Sequence, residues 1–233
     1  MKNILHLTED YFYLMEHLLL SFIDFQRIKV KEEKKVFFIG FNKTGTGFYN
    51  TLFKSHNYKT LHYSYWRTGN PRVLRKYDVF SDGCLHNFKK IYRLYPNAHY
   101  ILNTRPLRAW LISKANHVEH NILPDIPGLK HIINYFHRKI WGTDAYYDKK
   151  TLIKWINERE NYHNEVKNFF QNKKLLILNI EDEEKLQKLE QFMRINIKFS
   201  DKKLNYFKKT LSLRKIALID DIMKENNLDP NSI

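Results

Sequence analysis

Apolar positions in this chain fall into short unbroken runs separated by stretches of helical spacing. Residues 36–39 are Val, Phe, Phe and Ile, a run that reads as a strand buried on both faces. A glycine-rich turn follows, and then Phe48, Leu52 and Phe53 recur at helical spacing, which predicts a helix over residues 47–56. Residues 59–63 and 77–81 read as two further short strands. Between them residues 64–76 are polar and aromatic, with Gly69, Asn70 and Pro71 as turn punctuation. Phe88, Ile91, Tyr92 and Tyr95 share one helical face within residues 86–95. Residues 98–103 form another core strand, and Pro106 is well placed in the first turn of the helix after it. A long apolar stripe, with Leu152, Trp155, Ile156, Tyr162, Val166 and Phe169, predicts a helix over residues 151–170. A strand over 174–180 and a helix over 182–194 complete the legible pattern. Residues 117–150, broken by Pro124, Pro127 and Gly128, and the last 35 residues, basic and partly periodic, carry less signal. Residues 1–30 read as a helical arm preceding one α/β domain over 31–233.

Strands that alternate with helices predict an α/β fold, a mainly parallel central sheet flanked by helices. In such sheets ligands gather at the carboxyl ends of the strands. Three polar features fall directly after predicted strands: the turn around Lys43, Asp82, and Arg105. The turn is Asn42-Lys43-Thr44-Gly45-Thr46-Gly47. Its glycines let backbone approach a ligand, and free N–H groups at a helix start point toward an anion. Lys43 adds a cation, and Thr44 and Thr46 add hydroxyls. The lysine precedes Gly45, whereas a Walker A loop places it after the last glycine.

A net charge of +15 favours anionic ligands without choosing among them. Cys84 is the lone cysteine, so no internal disulfide can form and a reducing, cytoplasmic setting is expected. The apolar stretch at residues 11–23 is too short and too interrupted by charge to span a bilayer. It reads as an amphipathic helix packing on the domain.

The order Lys-Thr-Gly-Thr after a strand resembles the 5′-phosphosulfate loop of the sulfotransferases that use 3′-phosphoadenosine 5′-phosphosulfate. The usual form of that loop is Pro-Lys-[Ser/Thr]-Gly-Thr-[Thr/Ser]. Asn42 stands in place of the proline and Gly47 in place of the second hydroxyl residue. A second signature of that family, a strand ending in Arg with Ser eight residues on, is matched by Arg105 and Ser113. The resemblance covers roughly residues 35–195. It implies a P-loop-like fold, with residues 42–48, Asn42 to Phe48, at the 5′ end of the donor and Arg105 and Ser113 on its 3′-phosphate. It also implies transfer of a sulfuryl group to a hydroxyl or amine of a small-molecule or carbohydrate acceptor, with no metal.

Lys43 would supply electrostatic stabilisation. The general base is Asp82, in a Phe-x-Asp context like the family's, or His86, since histidine titrates near neutrality. His62, His99, His117, His120 and His163 lack partner spacing and read as ordinary surface or core residues. Acceptor-binding elements are expected in residues 117–150. Other classes stay open: a P-loop nucleotide kinase or NTPase, a non-catalytic polyanion- or RNA-binding module, or an inactive family member. No specific nucleic-acid motif is present, and the oligomeric state is open.

Overall fold

A computed structural model describes residues 35–62, 66, 69–82, 88–120, 147–197 and 211–233. The predicted N-terminal arm, His86, Cys84 and most of the 117–150 segment lie outside the described residues.

Among the described residues five strands make one all-parallel sheet in the order β2-β3-β1-β4-β5. They are β1 Val36–Phe38, β2 Thr60–His62, β3 Val79–Ser81, β4 His99–Thr104 and β5 Leu176–Asn179. Among the described residues seven helices surround them: α1 Thr46–Ser55, α2 Pro71–Lys76, α3 Phe88–Leu94, α4 Leu107–His120, α5 Lys149–Phe169, α6 Lys185–Met193 and α7 Leu213–Glu225. Each strand expected from the sequence is present. β1, β2, β3 and β5 are shorter than the runs that predict them, β3 and β5 mainly at their amino ends, and β4 is shifted one residue toward its carboxyl end.

Two helices depart from the sequence reading. In α2, Asn70 caps the helix by accepting from the Arg72 N–H at 2.9 Å, and Pro71 occupies the first turn. The apparent turn punctuation is therefore a helix start. α7 forms from the basic C-terminal stretch because Ile219, Ile222 and Met223 bury a narrow apolar stripe.

Side chains alternate across the sheet and feed two cores. Val36, Phe38, Val79, Ile101 and Leu178 pack against α1 and α6. Phe37, Ile39, Phe80, Tyr100 and Leu102 pack against α3, α4, α5 and α7. The Phe37 ring stacks on Phe80 at 4.8 Å and on Tyr100 at 5.4 Å, which ties the three central strands together.

The order of strands sets the site. β1 leads through α1, on one face, out to β2. β3 leads through α3, on the other face, across β1 to β4. The chain diverges between neighbouring strands β1 and β3, and an open α/β sheet holds its ligand crevice at such a point.

Candidate functional site

The turn from β1 into α1 is held from inside. The Gly40 N–H donates to Asn103 Oδ1 at 2.9 Å. The Asn103 amide in turn donates to the Thr44 hydroxyl, which donates to the Phe41 carbonyl. Asn103 is a fully buried amide near the carboxyl end of β4, and these bonds are the reason it is tolerated there. From the opposite side, the Trp110 indole N–H donates to the Asn42 carbonyl at 3.0 Å, and the Tyr162 hydroxyl to the Ile39 carbonyl at 2.6 Å. Thr44 thus shapes the loop, rather than offering the free hydroxyl expected from the sequence. Phe48 turns its ring into the core against Tyr49.

Two residues in the turn take left-handed backbone, Lys43 at φ 66° and Gly45 at φ 86°. At Gly45 a side chain has no room, since a Cβ there would lie 2.5 Å from the Ile180 side chain. Gly45 then starts α1, its carbonyl accepting from the Tyr49 N–H at 3.1 Å.

Asp82 follows β3 with φ 102°, a region that a non-glycine residue occupies only at a cost. Its carboxylate and the Lys43 ammonium act on each other electrostatically. Burial pulls the Lys43 pKa below the ordinary lysine value, and the Asp82 charge opposes that pull. The strand ends have therefore brought a partly desolvated cation and a carboxylate to one edge, as the sequence placed them. Beside them, at the end of β2, His62 Nδ1 is 3.1 Å from Ser81 Oγ, its cross-strand neighbour in register. His62 read as ordinary in the sequence, where only its place at the end of a strand could have marked it.

Arg105 follows β4. Its Nε donates to Glu181 Oε1 at 2.7 Å, just beyond β5. Ser113 sits half-buried on α4, about 9 Å along the helix axis from Leu107. At the head of α4 the Leu107 N–H donates to the Ser232 carbonyl at 3.0 Å and the Arg108 N–H to the Pro230 carbonyl at 3.1 Å. Those two helix-start donors are thereby occupied by the C-terminal segment. Buried Arg159 donates from Nη2 to the Arg105 carbonyl at 2.8 Å and to the Ser232 carbonyl at 3.2 Å. The Thr104 hydroxyl is buried beside this turn without a hydrogen-bond partner.

Behind both turns lies an aromatic wall. The buried Lys114 ammonium is 4.8 Å from the Trp110 ring and 4.4 Å from Trp155, and the Arg159 guanidinium is 5.4 Å from Trp110. His163 is buried next to them. Burial first, then Arg159 and Lys167, push its pKa down to about 3, so its ring is neutral at physiological pH. Asn103, Glu181 and Lys114 carried no motif, and Arg159 fell only within the family-like 159–163 segment, without a role. A lone amide in an apolar strand was the one available signal.

The arrangement offers an anion a cation and glycine-shaped backbone, with a guanidinium at the end of β4, and sets the Asp82 carboxylate on the neighbouring strand end as a candidate proton acceptor. Among the described residues no helix is long and apolar enough to cross a membrane. No curated protein matches the chain. The family model for the sulfotransferase domain matches residues 49–197, more than half of the chain, beginning just after the Lys43 loop and including Asp82, Arg105 and Ser113. The chain belongs to the sulfotransferase-domain family.

Proposed function

We propose that this protein transfers a sulfuryl group from 3′-phosphoadenosine 5′-phosphosulfate to a hydroxyl or amine of a small-molecule or carbohydrate acceptor, in a reducing compartment. The observation that carries this reading is the gathering of Lys43, Asp82 and Arg105 after β1, β3 and β4, the last two within the matched sulfotransferase domain and Lys43 just ahead of it. The donor supplies an activated sulfuryl group bound to a phosphate leaving group. Lys43 and the N–H groups at the start of α1 stabilise negative charge at the 5′ end. The backbone leading into this turn is held by the bonds through Asn103, Trp110 and Tyr162, so the turn itself reorganises little as charge develops.

Asp82 accepts the acceptor's proton as the new S–O or S–N bond forms and the bond from sulfur to the phosphate oxygen breaks. His86 is the alternative proton acceptor, four residues further on. Arg105 and Ser113 hold the 3′-phosphate. Because the N–H groups of Leu107 and Arg108 are already bonded to the C-terminal segment, this phosphate depends on side chains, and a guanidinium fork suits it.

Calorimetry with 3′-phosphoadenosine 5′-phosphate and with 5′-AMP tests the reading. The first should bind roughly tenfold or more tighter, and Arg105→Ala should remove the difference. Equal affinities in the wild-type chain, or preferential magnesium-dependent binding of ATP, would count against it.

A further inference from the structure

Gly47 is the second residue of α1, at the mouth where the anion is proposed to sit. Its backbone leaves room for a side chain: a Cβ there meets one neighbour, at ordinary contact distance, and that neighbour is His62 Nε2 at 3.8 Å. A helical Cβ leans toward the helix N-terminus, so this position lies on the ligand side of the turn. His62 is half-buried and anchored. Its Nδ1 is 3.1 Å from Ser81 Oγ, and Ser81 is itself fixed by the bond from the Trp66 indole N–H to its carbonyl, 3.1 Å. The anchoring uses the inner ring nitrogen and directs the outer one at the space that Gly47 leaves open. When the Ser81 hydroxyl donates to Nδ1, the ring proton resides on Nε2.

We propose that His62 is a donor-binding residue: its Nε2–H donates to the 5′-phosphate end of the donor, from the space left by the missing side chain at Gly47. This inference rests on the function proposed above. A hydroxyl on residue 47 and an imidazole on residue 62 are then two ways of putting one hydrogen-bond donor in one place. The plain alternative is a His–Ser pair that only ties β2 to β3.

Two substitutions separate these. His62→Asn keeps a polar partner for Ser81 but does not reach as far as Nε2. His62→Gln reaches that far. Calorimetry of the full chain with 3′-phosphoadenosine 5′-phosphate should give affinity about tenfold lower for His62→Asn and near wild type for His62→Gln. Adding Gly47→Ser to His62→Asn should restore most of the loss, since the site accepts a Cβ without collision. Melting temperatures of all variants should stay close together. Wild-type affinity in His62→Asn, equal losses in the Asn and Gln variants, or a loss that Gly47→Ser leaves untouched would each overturn the role of His62. Absence of any binding by the wild-type chain would overturn it together with the reading beneath it.

Discussion

The turns after β1 and β4 lie on neighbouring strands and are proposed to hold two phosphates of one molecule, yet they are built on opposite principles. The β1–α1 turn takes its shape from buried bonds: Gly40 to Asn103, Asn103 to Thr44, Thr44 to Phe41, Trp110 to Asn42 and Tyr162 to Ile39. The β4–α4 turn relies on Arg105, a partly exposed side chain already paired with Glu181, and two of its helix N–H groups are bonded to the C-terminal segment. Backbone in a fixed shape offers donors whose positions hardly depend on solvent. A guanidinium on a mobile stem offers strong, planar recognition, but it is open to competition from other anions and to screening by salt. The first turn is thus suited to the reacting end of the donor, the second to identifying it.

The sharpest way to break the first turn is Gly40→Ala. A methyl there would stand 1.9 Å from the Asn103 carbonyl oxygen and 2.8 Å from its side chain. Both belong to β4, which cannot withdraw without breaking the Ile39 N–H to Ile101 carbonyl bond, 2.9 Å. The expected loss is about 3 kcal/mol or more of stability, read as a large fall in melting temperature or as insoluble protein. Gly47→Ala, where a Cβ makes only an ordinary contact at 3.8 Å, serves as the control and should melt near wild type. A stable, normally melting Gly40→Ala chain would show that the turn is not held as described.

That contrast also explains what the sequence could disclose. Strand cores were legible because a parallel sheet covered on both faces demands unbroken apolar runs such as residues 36–39. The Lys43 turn, Asp82 and Arg105 stood out because each follows a predicted strand directly. Asn103 was not given a role, since its partners, Gly40 and Thr44, are distant in sequence and become neighbours only when β1 and β4 pair. The same holds for Ile180 against Gly45, and for Pro230 and Ser232 at the head of α4. α7 was missed because its stripe is narrow and set among charged residues of both signs. The short helix α2 was misread although Asn70-Pro71 is a helix-start signal as much as a turn signal.

The charges at the first turn and at the neighbouring end of β3 act on turnover rather than on the fold. Lys43→Ala should lower kcat/KM on the order of 10²-fold, about 3 kcal/mol, with little change in melting temperature. The lysine is held against a desolvation cost, as its lowered pKa shows, so removing it does not weaken the fold. Asp82→Asn should preserve affinity for 3′-phosphoadenosine 5′-phosphate and reduce turnover by roughly 10²- to 10⁴-fold, the usual range for losing a general base. Near-normal turnover in Asp82→Asn, with an inactive His86→Ala, would move the proton-accepting role to His86.

The smallest effect is the most informative about the second turn. Arg105 and Glu181 are 30% and 42% exposed, so their ion pair contributes under about 1 kcal/mol to stability, and Glu181→Gln should barely move the melting temperature. Its influence on ligand affinity combines two opposing terms. Glu181 accepts from Arg105 Nε, which orients the guanidinium and leaves the outer nitrogens for a phosphate. It also places a negative charge beside that phosphate. Glutamine keeps an acceptor oxygen and removes the charge, so orientation survives while repulsion falls. Affinity for 3′-phosphoadenosine 5′-phosphate should therefore rise, by no more than about threefold given solvent screening at such an exposed pair. The gain should shrink as salt is added. Glu181→Ala loses the acceptor as well and should bind no better than wild type, because the freed side chain regains rotamers that binding must then fix. The comparison with 5′-AMP localises the effect, since a ligand without the 3′-phosphate should respond to neither variant. A fall in affinity for Glu181→Gln, or an equal response with 5′-AMP, would mean that Arg105 is an edge ion pair and that the second turn does not read the 3′-phosphate.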